Sequence, residues 1–139
     1  MITLSDRIAP ADLGRLPERV HAFSWLPQLT VLRHADVVVT HGGINTVDEC
    51  VLQGVPMLVY CGFQTDMAGT TARVVHHGIG IAGDRRKDST RIMREQIERL
   101  LHEPYFRINL ARLRRQYQAY AENRVAEAVV ESLLRSRDP

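Results

Sequence analysis

His41-Gly42-Gly43-Ile44-Asn45-Thr46-Val47-Asp48-Glu49 is the stretch on which the reading of this chain turns. It directly follows Asp36-Val37-Val38-Val39-Thr40 and runs into Cys50-Val51-Leu52-Gln53-Gly54-Val55-Pro56-Met57-Leu58-Val59-Tyr60. An unbroken valine run between polar ends is the pattern of a strand covered on both faces, as in parallel sheets. The glycine pair then turns the chain, and a short helix follows from about Asn45 to Gln53, with Ile44, Val47, Cys50 and Val51 inward. Gly54 stops that helix as a C′ residue. Pro56 stands near the beginning of the next strand, where a missing donor is tolerated. In such a unit the turn lies at the carboxyl end of a parallel strand. The new helix aims free N–H groups and its positive dipole end at that point. The pattern predicts an anion site, and phosphate is the usual occupant.

On the N-terminal side, Met1-Ile2-Thr3-Leu4 reads as a short strand, broken by Ser5-Asp6-Arg7. Pro10 to Gly14 makes a helical turn, Pro17-Glu18-Arg19 a loop, and Val20-His21-Ala22-Phe23 alternates like a brief strand. Trp25-Leu26-Pro27-Gln28 is a turn leading into a helix through Leu29, Leu32 and Arg33, ending near His34. On the C-terminal side, Thr65-Asp66 supplies an N-cap, and Met67, Thr71, Val74 and Val75 form an apolar stripe closed by His76-His77-Gly78. Ile79-Gly80-Ile81 is a short strand, and Asp84 to Asp88 a charged loop. A helix capped near Ser89 or Thr90 lines Met93, Ile97, Leu100 and Leu101 on one face. Pro104 opens a long amphipathic stretch, two helices broken near Asn123. Strands alternating with helices give an α/β parallel sheet. The Arg- and Glu-rich C-terminal helices read as a solvated face.

The bulk numbers exclude several classes. A chain of 139 residues is one domain, long enough to bury about two-thirds of its unfolded surface. Its 45% hydrophobic and 24% charged residues argue against disorder and coiled coil. A net charge of +2, without an Arg block interleaved with aromatics, does not point to nucleic acid. Cys50 and Cys61 form no CxxC and fit a reducing compartment. No apolar run approaches the ~20 residues of a membrane span, and no signal-peptide pattern opens the chain, so a soluble cytoplasmic protein is expected.

Several candidate chemistries fall away. Gly78-Ile79-Gly80-Ile81-Ala82-Gly83 is a literal GxGxxG, but a dinucleotide fingerprint follows a strand and opens a helix. This one follows a helix and runs into Asp84-Arg85-Arg86-Lys87, which suits a C-cap plus a short strand. The six histidines lack HExxH or other metal spacing, and adjacent His76 and His77 complement the helix's negative end instead. No zinc site, no cofactor and no catalytic residue is expected. No GxSxG elbow exists, and Cys50 occupies an apolar-stripe position. His41-Gly42-Gly43 has two readings: a turn for tight strand–helix packing, or a cradle in which backbone approaches an anion closely. The second explains more residues. Asn45 and Thr46 place neutral polar groups in the first turn, and Glu49 faces the same way as Asn45. Its carboxylate can accept from two vicinal hydroxyls.

Trp25-Leu26-Pro27-Gln28, His41-Gly42-Gly43-x-Asn45-Thr46-x-x-Glu49, Gly54-Val55-Pro56-Met57-Leu58-Val59 and Asp66 together resemble the donor-binding signature of UDP-glycosyltransferases. The similarity is greatest to the bacterial natural-product and macrolide branch of that GT-B family, and it runs from Ile2 to the C-terminus. It implies a Rossmann-like parallel sheet with flanking helices, the C-terminal half of a GT-B glycosyltransferase lacking its first βα unit. It also implies roles. Trp25 stacks on the uracil or thymine, Gln28 lies beside base and ribose, and Glu49 holds the ribose hydroxyls. His41, Gly43, Asn45 and Thr46 surround the diphosphate, and Asp66 reaches sugar hydroxyls. The alternatives are a core side chain for Trp25 and a helix N-cap for Asp66. Met67, Gly62 and Thr70 depart from the family's usual Gln, Pro and Asn, so the resemblance carries nucleotide recognition further than sugar recognition.

The expectation is therefore a nucleotide-sugar donor-binding domain over residues 1–139, with the acceptor domain and its general-base His absent. Its activity would be that of an inverting glycosyltransferase, moving a hexose from a UDP- or TDP-sugar to a small lipophilic acceptor, and the chain would be inactive alone. A donor subunit completed by a separate acceptor chain is the second expectation. A sugar-nucleotide epimerase on the same architecture is a third, with motifs that differ from those quoted. An exposed surface that normally faces the missing half can drive self-association.

Overall fold

The structure is a computed structural model that describes residues 1–4, 8–62, 65–122 and 125–135. The breaks expected at Ser5-Asp6-Arg7 and near Asn123 lie outside the described residues. The chain divides into two compact units, Met1–His34 and Ala35–Pro139.

In the first unit, β1 (Ile2–Thr3) and β2 (Ala22–Phe23) pair in parallel, Ile2 opposite Ala22 and Thr3 opposite Phe23. The Ile2 and Leu4 N–H groups donate to the carbonyls of His21 and Phe23 at 2.8 and 2.9 Å. A 3₁₀ turn spans Pro10–Leu13, with the Asp12 carboxylate accepting from the Ala9 N–H at 2.8 Å. Helix α1 (Gln28–Leu32) starts directly after Pro27, whose carbonyl accepts from Thr30 and Val31. All these elements lie where the sequence pattern puts them.

The second unit carries a three-stranded parallel sheet in the order β3 (Val38–Thr40), β4 (Met57–Tyr60), β5 (Gly80–Gly83). Its helices are α2 (Ile44–Gln53), α3 (Thr65–His76), α4 (Thr90–His102), α5 (Pro104–Glu122) and α6 (Val125–Arg135). Central strand β4 is buried from Met57 to Val59, and its alternation sorts the core onto two faces. Leu58 packs with Leu100 and Phe106, against Val37, Ile81, Met93 and Ile97. Met57 and Val59 take the opposite face: a Cβ added at Gly80 would strike Met57 and Val74, and one at Gly42 would strike Val59 and Thr71. Each fully buried aliphatic side chain of this kind contributes roughly 1.5–3 kcal/mol.

The end signals behave as their chemistry requires. Gly54 closes α2 in the left-handed region (φ 74°, ψ 30°), and Ser89 caps α4 by accepting from the Ile92 N–H at 3.3 Å. Helix α5 is tied down at three points. Arg107 donates to the Asp36 carbonyl, Asn109 to the Gly78 carbonyl, and the Tyr117 hydroxyl to the Asp48 carboxylate at 3.0 Å. Burial, and then that bond to Asp48, raise the Tyr117 pKa.

Four expectations need correction. Val39 is 51% exposed rather than covered on both faces. Strand β3 is an edge of its sheet, and helices α3 and α4 lie over β4 and β5. Ile44 and Val75 are exposed, not inward. Ile44 is the first residue of α2, before the helix has turned onto the core, and the buried strip of α3 runs through Thr70, Thr71 and Val74. Thr65 and Asp66 are the first two residues of α3, and the position before them lies outside the described residues. The C-terminal helices do bear exposed i,i+4 pairs, Arg99 with Glu103 and Arg135 with Glu131, worth about 0.3–0.5 kcal/mol each. However, α6 also leaves Val129, Val130, Leu133 and Leu134 more than half exposed, so its surface is not purely a charged face.

Candidate functional site

Strand β3 ends at Thr40, and the backbone must leave it and enter α2 within a few residues. Gly42 makes that turn possible. It is buried with φ 88°, and a Cβ there would lie 2.8 Å from Val59 Cγ1 and 3.1 Å from Thr71 Oγ1. Thr71 cannot swing away cheaply, because its hydroxyl donates to the Met67 carbonyl at 2.7 Å. The Gly42 N–H donates in turn to Thr40 Oγ1 at 3.3 Å. Position 42 therefore accepts glycine on two counts, backbone sign and space.

Gly43 is the N-cap of α2 (φ −61°, ψ 137°), and its carbonyl accepts from the Val47 N–H at 3.1 Å. A capping residue is normally Ser, Thr, Asn or Asp, whose oxygen occupies the first-turn N–H groups. Gly43 offers none, and the first turn of α2 holds no acidic side chain. The positive end of a ten-residue helix is thus left without a carboxylate of its own. Asn45 is exposed on that turn, Thr46 and Glu49 are half-buried, and Asn45 and Glu49 share one side. The exposed His41 folds back over the cap: a Cβ at Gly43 would lie 3.0 Å from His41 Nε2.

The next carboxyl-end loop is bonded to this one, the Gly62 N–H donating to the His41 carbonyl at 3.2 Å. A Cβ at Gly62 would meet Met67 Sδ, the far part of a flexible side chain. The two departures from the family pattern, Gly62 and Met67, thus touch each other. The third, Thr70, is buried, and its hydroxyl donates to the Asp66 carbonyl at 3.2 Å, within its own helix. Asp66 is exposed in the first turn of α3, where the helix dipole favours a carboxylate. The second unit therefore gathers His41, Gly43, Asn45, Thr46, Glu49 and Asp66 at the carboxyl edge of its sheet. Gly42, Gly62 and Thr71 help shape that edge; the sequence reads Gly42 as a turn or cradle glycine, Gly62 as a departure from the family's Pro, and Thr71 as part of the α3 stripe.

In the first unit, Trp25 lies in the segment between β2 and α1 and is 74% exposed, so it is no core side chain. Gln28 is the exposed first residue of α1. An exposed tryptophan ring is a stacking platform for a planar group.

Other chemistry finds little support. Cys50 is fully buried, and desolvation, then the neighbouring Glu49 charge, push its thiol up to about 12. It stays protonated at neutral pH and cannot act as a thiolate nucleophile. Among the described residues no group of three His, Cys, Asp or Glu side chains converges on a metal position, and no helix is long and apolar enough to cross a membrane. The GxGxxG-like run forms the turn after α3 and strand β5, as its position after a helix predicts.

Residues 1–133 match the family described as Erythromycin biosynthesis protein CIII-like, C-terminal domain. The chain belongs to that family. Its fold is that of the C-terminal half of GT-B glycosyltransferases. The chain is 34% identical over 111 residues to 4'-demethylrebeccamycin synthase of Lentzea aerocolonigenes, covering 80% of this chain and 26% of that protein. Among solved structures, the glycosyltransferase of kitacinnamycin superposes with a TM-score of 0.86 at 32% identity, over 94% of this chain and 33% of the other. Glycosyltransferase VinC in complex with DTDP superposes with a TM-score of 0.72 at 27% identity, over 78% and 27%. The chain thus spans about a third or less of the length of the family relatives it matches.

Proposed function

We propose that this chain is the donor-binding part of an inverting glycosyltransferase that takes a hexose from a UDP- or TDP-sugar and passes it to a small lipophilic acceptor. The observation that carries this reading is the β3–α2 junction. A glycine without space for a Cβ and a side-chain-free N-cap leave the positive end of α2 open to an anion. A diphosphate leaving group develops charge as the glycosidic bond breaks, and fixed N–H dipoles stabilise that charge without a metal. In this reading Gly43, Asn45, Thr46 and His41 take the diphosphate, and Glu49 accepts from the ribose hydroxyls. Trp25 and Gln28 meet the base, and Asp66 meets the sugar. The binding of DTDP by a relative with this fold supports the nucleotide class.

His41 is a phosphate ligand in this reading and not a base, since its ring lies over the helix cap. The group that deprotonates the acceptor hydroxyl then comes from outside these residues, from an N-terminal acceptor domain or a separate acceptor subunit. The chain alone binds nucleotide and does not transfer sugar. Sugar transfer by the purified chain at a rate typical of enzymes would refute that point.

Calorimetric titration with UDP, TDP and ADP tests the donor reading. UDP or TDP is expected to bind more tightly than ADP. Trp25→Ala should weaken the preferred nucleotide about tenfold, the loss of one stacking partner. Glu49→Ala should cost a similar factor, the loss of charge-assisted hydrogen bonds. Tightest binding of ADP, or affinities untouched by both variants, removes the reading.

A further inference from the structure

Glycine permits the turn between β3 and α2 without fixing it. Gly42 has φ 88°, and glycine visits negative φ about as readily as positive. Turning over the His41–Gly42 peptide changes the sign of that angle at little intrinsic cost. It also exchanges the N–H and C=O ends of the peptide beside the start of α2. The observed sense therefore needs a further cause.

Two hydrogen bonds supply it, one at each end of that single peptide. Its N–H, from Gly42, donates to Thr40 Oγ1 at 3.3 Å. Its carbonyl, from His41, accepts from the Gly62 N–H of the next carboxyl-end loop at 3.2 Å. Both bonds are lost when the peptide turns over. Thr40 is the last residue of β3 and stands opposite Val59 of β4. Val59 is also the side chain that a Cβ at Gly42 would strike. The turn thus lies back over the ends of these two strands, within reach of the Thr40 hydroxyl. A β-branched residue is stiff at χ1, so that hydroxyl is a firm anchor.

We propose that Thr40 is a positioning residue of the diphosphate cradle. Its hydroxyl, with the Gly62 N–H, locks the His41–Gly42 peptide in the sense that opens the start of α2 to an anion. Thr40 acts here through Gly42 and Gly43 and not through contact with the ligand. A peptide free to turn over is competent only part of the time, and apparent affinity falls by that fraction. The ligand in this inference rests on the donor reading, whereas the lock itself does not.

The test compares Thr40→Val, which keeps the shape and removes the hydroxyl, with Thr40→Ser, which keeps the hydroxyl. Two quantities are measured on the whole chain: solvent exchange of the Gly42 amide, and affinity for TDP and for thymidine. In Thr40→Val the Gly42 amide should exchange about fivefold faster, the worth of one hydrogen bond. TDP should weaken by a similar factor, while thymidine, which lacks the diphosphate, keeps its affinity. Thr40→Ser should restore both amide exchange and TDP binding, which a loss of packing alone would not explain. Unchanged Gly42 exchange in Thr40→Val overturns the lock. Faster exchange with unchanged TDP affinity, or an equal loss of TDP and thymidine, overturns the positioning role and leaves the donor reading standing. No TDP binding by the unaltered chain removes the donor reading and this role of Thr40 with it.

Discussion

Two glycine-bearing junctions of the second unit run in opposite directions. His41-Gly42-Gly43 carries the chain from strand β3 into helix α2, and Gly78-Ile79-Gly80-Ile81-Ala82-Gly83 carries it from helix α3 into strand β5. The second run matches a dinucleotide fingerprint letter by letter, yet protein fills the space beside each of its glycines. A Cβ at Gly78 would strike the Tyr105 hydroxyl and the Asn109 amide, one at Gly80 the Met57 carbonyl and Val74, and one at Gly83 the Tyr60 ring. At the first junction only Gly42 abuts the core. The three atoms nearest a Cβ at Gly43 all belong to the imidazole of His41, two residues earlier. What separates the two is direction. A strand-to-helix turn points N–H groups outward at a helix start, whereas a helix-to-strand turn presents the wrong end of the dipole.

The contrast can be broken first at Gly80. Its missing Cβ would lie against a backbone carbonyl of the neighbouring strand, which cannot rotate aside. Gly80→Ala is expected to lower stability by about 3 kcal/mol, read by urea denaturation. Where the chain stays folded, nucleotide affinity should be unchanged, because this glycine serves packing alone. A stable Gly80→Ala protein with impaired TDP binding would reverse the assignment of the two junctions.

Gly42→Ala comes next. The positive φ and the 2.8 Å approach to Val59 both oppose the methyl group, and the cost is expected near 2 kcal/mol. Unlike the first variant, it should weaken TDP even in the folded fraction, since the turn that presents the helix start is displaced. A full-affinity Gly42→Ala protein would leave the junction with a packing role only.

Much of this was legible in the sequence because local chemistry decided it. The valine run, the glycine pair, Gly54, Ser89 and the apolar spacing of α2 place β3, α2, β4 and the start of α4 close to where they lie. The misses share a cause. Val39, Ile44 and Val75 are apolar residues whose burial depends on which neighbour covers them, and periodicity does not carry that information. The same holds for the junction itself. That Gly42 abuts Val59 and Thr71, and that Gly62 abuts Met67, are contacts between elements that the spacing of letters leaves undetermined. The Asp84–Asp88 segment read only as a charged loop for the same reason, its Tyr60–Asp88–Gln96 network joining residues far apart in sequence.

Gly43→Ala is the mildest substitution and the most discriminating. Its backbone is in an ordinary extended conformation, and the nearest atom to a new Cβ, at 3.0 Å, is the far end of the flexible His41 side chain. Stability should fall by only about 0.5 kcal/mol, since alanine is a slightly poorer N-cap than glycine. Binding should respond far more, because the methyl sits on the helix start and pushes the imidazole off it. TDP is expected to weaken about tenfold, while thymidine, which has no diphosphate, keeps its affinity. The ratio of the two losses measures how much of the affinity passes through the α2 cap, independently of the tryptophan. If thymidine and TDP weaken equally, the cap is not where the diphosphate sits, and the glycine pair returns to being a tight turn.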